Sequence, residues 1–133
     1  MEKLLEFKPF KALLKMIGEC MDFKGRTACA EFWWAILGIV IIEFAVAIVF
    51  GILMAILPDI LDTILSLILR LFTLACSFVG LSMDFRRLHD VNKPALWLLL
   101  GLVPLGFIVP LIFCTQPSHP EENQYGPVPT SIV

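Results

Sequence analysis

The residues best suited to chemistry lie in one run, Asp84-Phe85-Arg86-Arg87-Leu88-His89-Asp90. A histidine beside an aspartate suggests a general base with its orienting carboxylate, and paired arginines suit bidentate contact with a phosphate or carboxylate. The first prospect is weak. Neighbours on a helix do not face each other, and no serine or cysteine nucleophile lies close by in sequence. The second has more to support it. Arg86 and Asp90 are four apart and Asp84 and Arg87 three apart, which are the spacings of ion pairs along a helix. No catalytic residue and no cofactor is expected. Cys20, Cys29, Cys76 and Cys114 form no CxxC pair, and neither histidine stands at ligand spacing from another ligand, so no metal is expected either.

The elements that must position this run are apolar. Of 133 residues, 59% are hydrophobic and only 17% charged. Soluble domains sit at about 45–50% and about 25%. A chain this short cannot hide so much apolar surface in a core, so the excess must face lipid. The net charge of -2 gives no reason to expect a nucleic-acid partner.

Taken in order, residues 1–22 read as an amphipathic interfacial segment. Leu4, Leu5, Phe10, Leu13, Leu14, Ile17 and Met21 recur at helical spacing, with Lys3, Lys8, Lys11 and Lys15 between them. Pro9 breaks the pattern, so the regular part is expected over 9–21. Residues 23–114 form the membrane domain, with spans expected at about 33–57, 60–83 and 94–114. Trp33 and Trp34 sit where indoles favour the headgroup level. Pro58-Asp59 closes the first span and leaves room only for a tight hairpin. Pro104 lies in the middle of the third apolar run. Residues 115–133 hold four prolines and no lysine or arginine, the composition of an irregular polar tail.

The fold class expected is therefore an all-α integral membrane protein, three transmembrane helices preceded by an amphipathic interfacial helix. Lysine and arginine counts orient it. Six precede the first span, none follows it, three lie at 84–93 and none in the tail. With three spans, the N-terminus and the Arg86-Arg87 loop are cytoplasmic and the tail is outside. In the competing arrangement, 94–114 re-enters with a bend at Pro104 and returns the tail to the cytoplasm.

Two ionisable residues fall deep within the spans, Glu43 and Arg70. Each alone costs about 3 kcal/mol or more near the bilayer centre. A hairpin turning at 58–59 places Arg70 opposite Ala47, one turn from Glu43, so an intramembrane ion pair is expected. Glu43, Ala47, Gly51 and Ala55 form a ridge of small residues for close helix approach. The pair would fix the hairpin's register; the sharper alternative is a proton or ion pathway.

Three further motifs carry a resemblance. Phe23-x-Gly25-Arg26 and Glu31-Phe32-Trp33 precede the first span, Arg86-Arg87-Leu88-His89-Asp90 is followed by Trp97, and Asn123-x-Tyr125-Gly126-Pro127 closes the chain. In this order, over about residues 22–129, the sequence resembles the DUF805 family of small bacterial inner-membrane proteins. The resemblance implies a membrane fold and the bacterial inner (cytoplasmic) membrane, and no activity. The family carries a second basic residue three positions after the Gly-Arg arginine; here that residue is Cys29.

The functional expectation is a non-enzymatic membrane protein. Arg26 and Glu31 from the first span's start, and Arg86, Arg87, His89 and Asp90 from the second span's end, form a candidate cytoplasmic-face cluster, with Asn123, Tyr125 and Gly126 as a tail motif. Basic residues there gain roughly 1 kcal/mol each from anionic headgroups, so anionic membrane lipid is the first expected partner. A homo-oligomer or a membrane-protein partner is the alternative. The runner-up function is a subunit of a small oligomeric transporter or channel using Glu43 and Arg70.

Overall fold

The structure is a computed structural model that describes residues 6–57 and 59–132. Lys3, Leu4, Leu5 and Pro58, used above, lie outside the described residues. The described residues form four α-helices and one 3-10 helix: α1 Lys8–Gly18, α2 Cys29–Ile56, α3 Asp59–Asp90, the 3-10 helix Ala95–Leu102, and α4 Ile108–Thr115.

Helix α1 starts with Pro9 in its first turn, where a missing N–H costs nothing. It buries Pro9, Ala12, Leu13 and Met16. It runs antiparallel to the first turns of α2, with Lys15 beside Glu31 and Pro9 against Gly38. A Cβ at Gly38 would sit 2.7 Å from the Pro9 carbonyl oxygen, so the glycine permits the approach. The helix ends at Gly18, not at residue 21, and Asp22 then accepts hydrogen bonds from the Lys24 and Gly25 amides to shape a turn. Phe23 sits edge-on between Phe78 and Phe85 of α3.

Helices α2 and α3 are each long and apolar enough to cross a membrane, and their most apolar windows are unburied. At 1.5 Å per residue they reach about 42 and 48 Å, against a hydrocarbon core of about 30 Å. Each is therefore longer than a bilayer's hydrocarbon core is thick. The apolar stretch of α3 at 60–83 is followed by the charged turns 84–90, which meet the start of α2 and α1. We call this end the rim. Helix α3 stops in a Schellman turn: Lys93 N–H bonds to Leu88 O, Asn92 N–H to His89 O, and Asn92 adopts φ 57°.

The third expected span does not form. Residues 94–114 divide into the 3-10 helix, a turn at 103–107 and α4, each helix eight residues long. Neither can cross about 30 Å. Pro104 removes a helix-interior N–H and weakens the run there, Leu105 takes φ 61°, and a Cβ at Gly106 would run into the Leu100 carbonyl. The arms fold back on each other, with Trp97 edge-on to Phe113 at 5.3 Å. The segment leaves the rim after Asp90 and returns to it at Cys114. The tail consequently lies at the same end as α1, not at the opposite end as the three-span arrangement requires.

Candidate functional site: a charged clasp at the helix rim

The geometry starts from Asp90. Its side chain is fully buried and faces two guanidinium groups, Arg26 Nη2 at 3.0 Å and Nε at 3.1 Å, and Arg87 Nη1 one helical turn back. Arg26 and Arg87 are themselves buried. Two arginines on one carboxylate leave a local excess of positive charge and many N–H donors to satisfy. The chain satisfies them with backbone carbonyls. Arg87 donates through Nε to Cys114 O at 3.1 Å, through Nη2 to Gln116 O and through Nη1 to Thr27 O at 3.3 Å. Arg26 donates to His119 O at 2.8 Å, Glu121 O at 3.0 Å and Gly126 O at 3.0 Å. Five carbonyls of 114–126 are thus bound by two side chains, which strap the tail across the rim. The planar five-donor fork of arginine suits this role and a lysine ammonium does not.

The tail motif locks the strap at its far side. Asn123 and Gly126 exchange backbone hydrogen bonds across a tight turn, and Gly126 has φ 124°, which favours glycine. Asn123 Nδ2 donates to His89 O at 2.9 Å. The Tyr125 ring stacks on the His89 imidazole at 3.8 Å and 4°. Ile132 N–H reaches Glu31 Oε1 at 2.7 Å.

A second set of charges flanks the clasp. Lys15 Nζ bonds both oxygens of the buried Glu31, at 2.8 and 3.0 Å. Arg86, also buried, pairs with Glu19 and touches Met16 Sδ at 3.1 Å. Ser82 donates to Asp22 O, tying α3 to the turn after α1. The Cys29 thiol contacts Cys114 O at 3.6 Å, the same carbonyl that accepts from Arg87. Burial pushes the Cys114 thiol up to about 12, with the nearby Asp84 carboxylate adding to the rise and Arg87 opposing it. Such a thiol is inert as a nucleophile.

The structure brings Arg26, Glu31, Arg86, Arg87, His89 and Asp90 to one rim, and Asn123, Tyr125 and Gly126 join them there. Their pairing differs from the helical spacings. Arg86 turns to Glu19 instead of Asp90, and Arg87 pairs with Asp90 instead of Asp84, because Asp90 lies where Arg26 also converges. His89 and Asp90 form no dyad; the imidazole stacks on Tyr125 while the carboxylate holds the arginines. The arginine donors that an exposed phosphate would need are largely taken by the tail. Sequence reasoning missed Lys15, Glu19 and the tail carbonyls. The last carry no side-chain signal at all, and the Asn-x-Tyr-Gly turn was the one hint.

Glu43 and Arg70 are not brought together. Among the described residues no ion pair joins them. Glu43 lines a groove of about 360 Å³ with Cys76 and Asp84, and Arg70 is exposed. The register is the reason. Glu43 lies beside Cys76, six residues beyond Arg70, or about 9 Å along the helix.

The Protein of unknown function (DUF805) family model matches residues 20–127, the stretch that contains all of Arg26, Asp90 and the tail turn. The chain belongs to the DUF805 family. It is 33% identical over 117 residues to inner membrane protein YhaH of Escherichia coli K12, covering 87% of this chain and 93% of that one. Inner membrane protein YhaI of the same strain is 28% identical over 114 residues, covering 85% and 90%. No solved structure matches the chain. The family match spans both sides of the clasp, so the strap and the rim that holds it fall within one family unit.

Proposed function

We propose that this DUF805 protein is a non-enzymatic inner-membrane protein that works through contacts at its cytoplasmic face, and that the clasp exists to shape that face. The observation that carries this reading is the use of two buried arginines and one buried aspartate to hold four tail carbonyls and that of Cys114 at the end of α4. Burying such charge is costly and returns little stability. It does return a fixed shape for a segment, 116–132, that has no regular secondary structure of its own beyond one tight turn.

The orientation follows from charge. Among the described residues, every lysine and arginine except Arg70 lies on α1 or at the rim. The positive-inside bias then puts the rim, α1 and the tail in the cytoplasm, with two spans between. The two E. coli relatives are named inner membrane proteins, which supports this location.

The face has two chemistries. Lys8 and Lys11 of α1 are exposed and suit anionic headgroups, at about 1 kcal/mol each. The strap presents exposed Glu121, Glu122 and Gln124 and no basic residue. Anionic headgroups repel it, so its partner is a protein. The test is a photo-crosslinker at Gln124 in native membranes, in the otherwise unaltered chain and with Asp90→Asn. A discrete protein adduct that disappears with Asp90→Asn is expected. Adducts to lipid alone, or an unchanged adduct when the clasp is broken, would overturn the proposal.

A further inference from the structure

The strap begins with Gln116-Pro117-Ser118-His119-Pro120. Gln116 takes φ -66° and ψ 153°, against about -75° and about +145° for polyproline II. Pro117 and Pro120 fix their own φ at about -65°. A residue before a proline is pushed into the same extended region, and both Gln116 and His119 stand there. The contacts of the run repeat every three residues. Arg87 Nη2 donates to the Gln116 carbonyl and Arg26 Nη2 to the His119 carbonyl, so these two face the rim. Pro117 and Pro120, also three apart, are both exposed. Polyproline II has three residues per turn, so positions i and i+3 share an edge. The clasp therefore grips one edge of the run and leaves the proline edge outward. Its two rings stand about 9 Å apart at a rise of about 3.1 Å per residue.

Prolines also stiffen a linker. Here the clasp already supplies stiffness, because it grips backbone carbonyls whatever the side chains are. The proline edge serves another purpose. A hollow of about 370 Å³ opens between the run and Val91, which leaves room for side chains from another protein. Among the described residues no hydrogen bond reaches the carbonyls of Pro117 and Ser118. Edges of this spacing dock in grooves walled by aromatic side chains, and the indole N–H and phenol O–H of such walls answer free carbonyls. The run is ordered before binding, which lowers the entropic cost of docking. Glu121 and Glu122 follow at once and are exposed, so charge complementarity favours a basic border on the groove.

We infer that the strap's protein partner carries a groove walled by tryptophan and tyrosine with a basic border, and that the Pro117–Pro120 edge docks in it. This rests on the strap having a protein partner at all.

Permeabilised cells holding the full chain with a photo-crosslinker at Ser118 supply the test. The protein adduct should map, by mass spectrometry, to a partner segment rich in tryptophan and tyrosine. Decaproline, which adopts polyproline II, should suppress that adduct, and a glycine-serine peptide of equal length should not. Pro117→Ala combined with Pro120→Ala keeps every carbonyl that the clasp uses. Asn123 and Gly126 amides should then keep their hydrogen-exchange protection while the adduct falls about tenfold or more. The decaproline arm reads the unaltered chain and needs no substitution. An adduct that decaproline leaves untouched, or one in a segment without aromatic residues, overturns the inference and leaves the protein partner standing. Full labelling of the double variant does the same. Absence of any protein adduct from both Ser118 and Gln124 overturns the partner and the groove together.

Discussion

Replacing Asp90 by asparagine should release the tail. The shape of the side chain is kept, but the charge that two buried guanidinium groups share is lost. Arg26 and Arg87 would remain held by tail carbonyls, which are neutral, at positions where their side chains are about 1% and 0% exposed. Breaking a buried pair by removing one partner costs about 3–5 kcal/mol. At about 1.4 kcal/mol per factor of ten, the equilibrium between strapped and released tail shifts roughly 140- to 4,000-fold. Local openings span from zero to the global stability, so a change of this size exposes the strap before the spans separate. Hydrogen exchange in detergent reads this directly. The amides that report it are Asn123 and Gly126, bonded to each other's carbonyls, and His119, bonded to Asp90 O. They should lose two to three orders of magnitude of protection, while α2 and α3 keep theirs. If these amides exchange at the unaltered rate in Asp90→Asn, the clasp does not hold the tail and the reasoning is wrong.

Arg87→Lys removes four donations and supplies one ammonium, so the tail should release nearly as far as in Asp90→Asn, read by the same amides; retention would show that charge alone suffices. Gly106→Ala forces a Cβ onto the Leu100 carbonyl and should open the hairpin at 103–107, lowering the melting temperature in detergent and slackening the Trp97–Phe113 contact seen in tryptophan fluorescence. A double-mutant cycle on Glu43→Gln and Arg70→Gln should give a coupling near zero, because the two do not meet; a coupling above about 1 kcal/mol would restore the ion pair. With Cys114 pushed up to about 12, roughly one thiol in 10,000 is ionised at pH 8. Maleimide should therefore spare Cys114 across pH 6 to 9 in folded protein and modify it once the protein is unfolded.

Much of the membrane domain was legible because periodicity and length are strong signals. The runs that became α2 and α3 announced themselves by apolar content, and the boundaries shifted only where charged turns continue the helix, at 29–32 and 84–90. The third run met the length test and failed for a local reason. Pro104 and Gly106 stand two apart in its middle, and together they turn the chain where either alone could be absorbed in a continuous helix. The six rim residues were legible as a group, since antiparallel helices bring the start of one beside the end of the next. Their partners were not. Backbone carbonyls of the tail have no sequence signature, and Glu19 and Lys15 became neighbours only through the packing of α1 on Gly38. The Glu43–Arg70 pair failed on register, which a two-residue uncertainty at the 57–59 connection is enough to shift.

The central claim is that the tail returns to the rim beside α1, which in the proposed orientation puts both on the cytoplasmic side of the membrane. The most direct test fuses a folding-reporter fluorescent protein, in parallel with alkaline phosphatase, after residue 133 of the full chain in bacterial cells. The two reporters are active on opposite sides of the inner membrane. Bright fluorescence with an inactive phosphatase is predicted. An active phosphatase with a dark fluorescent protein would place the tail outside, restore a third span and contradict the account.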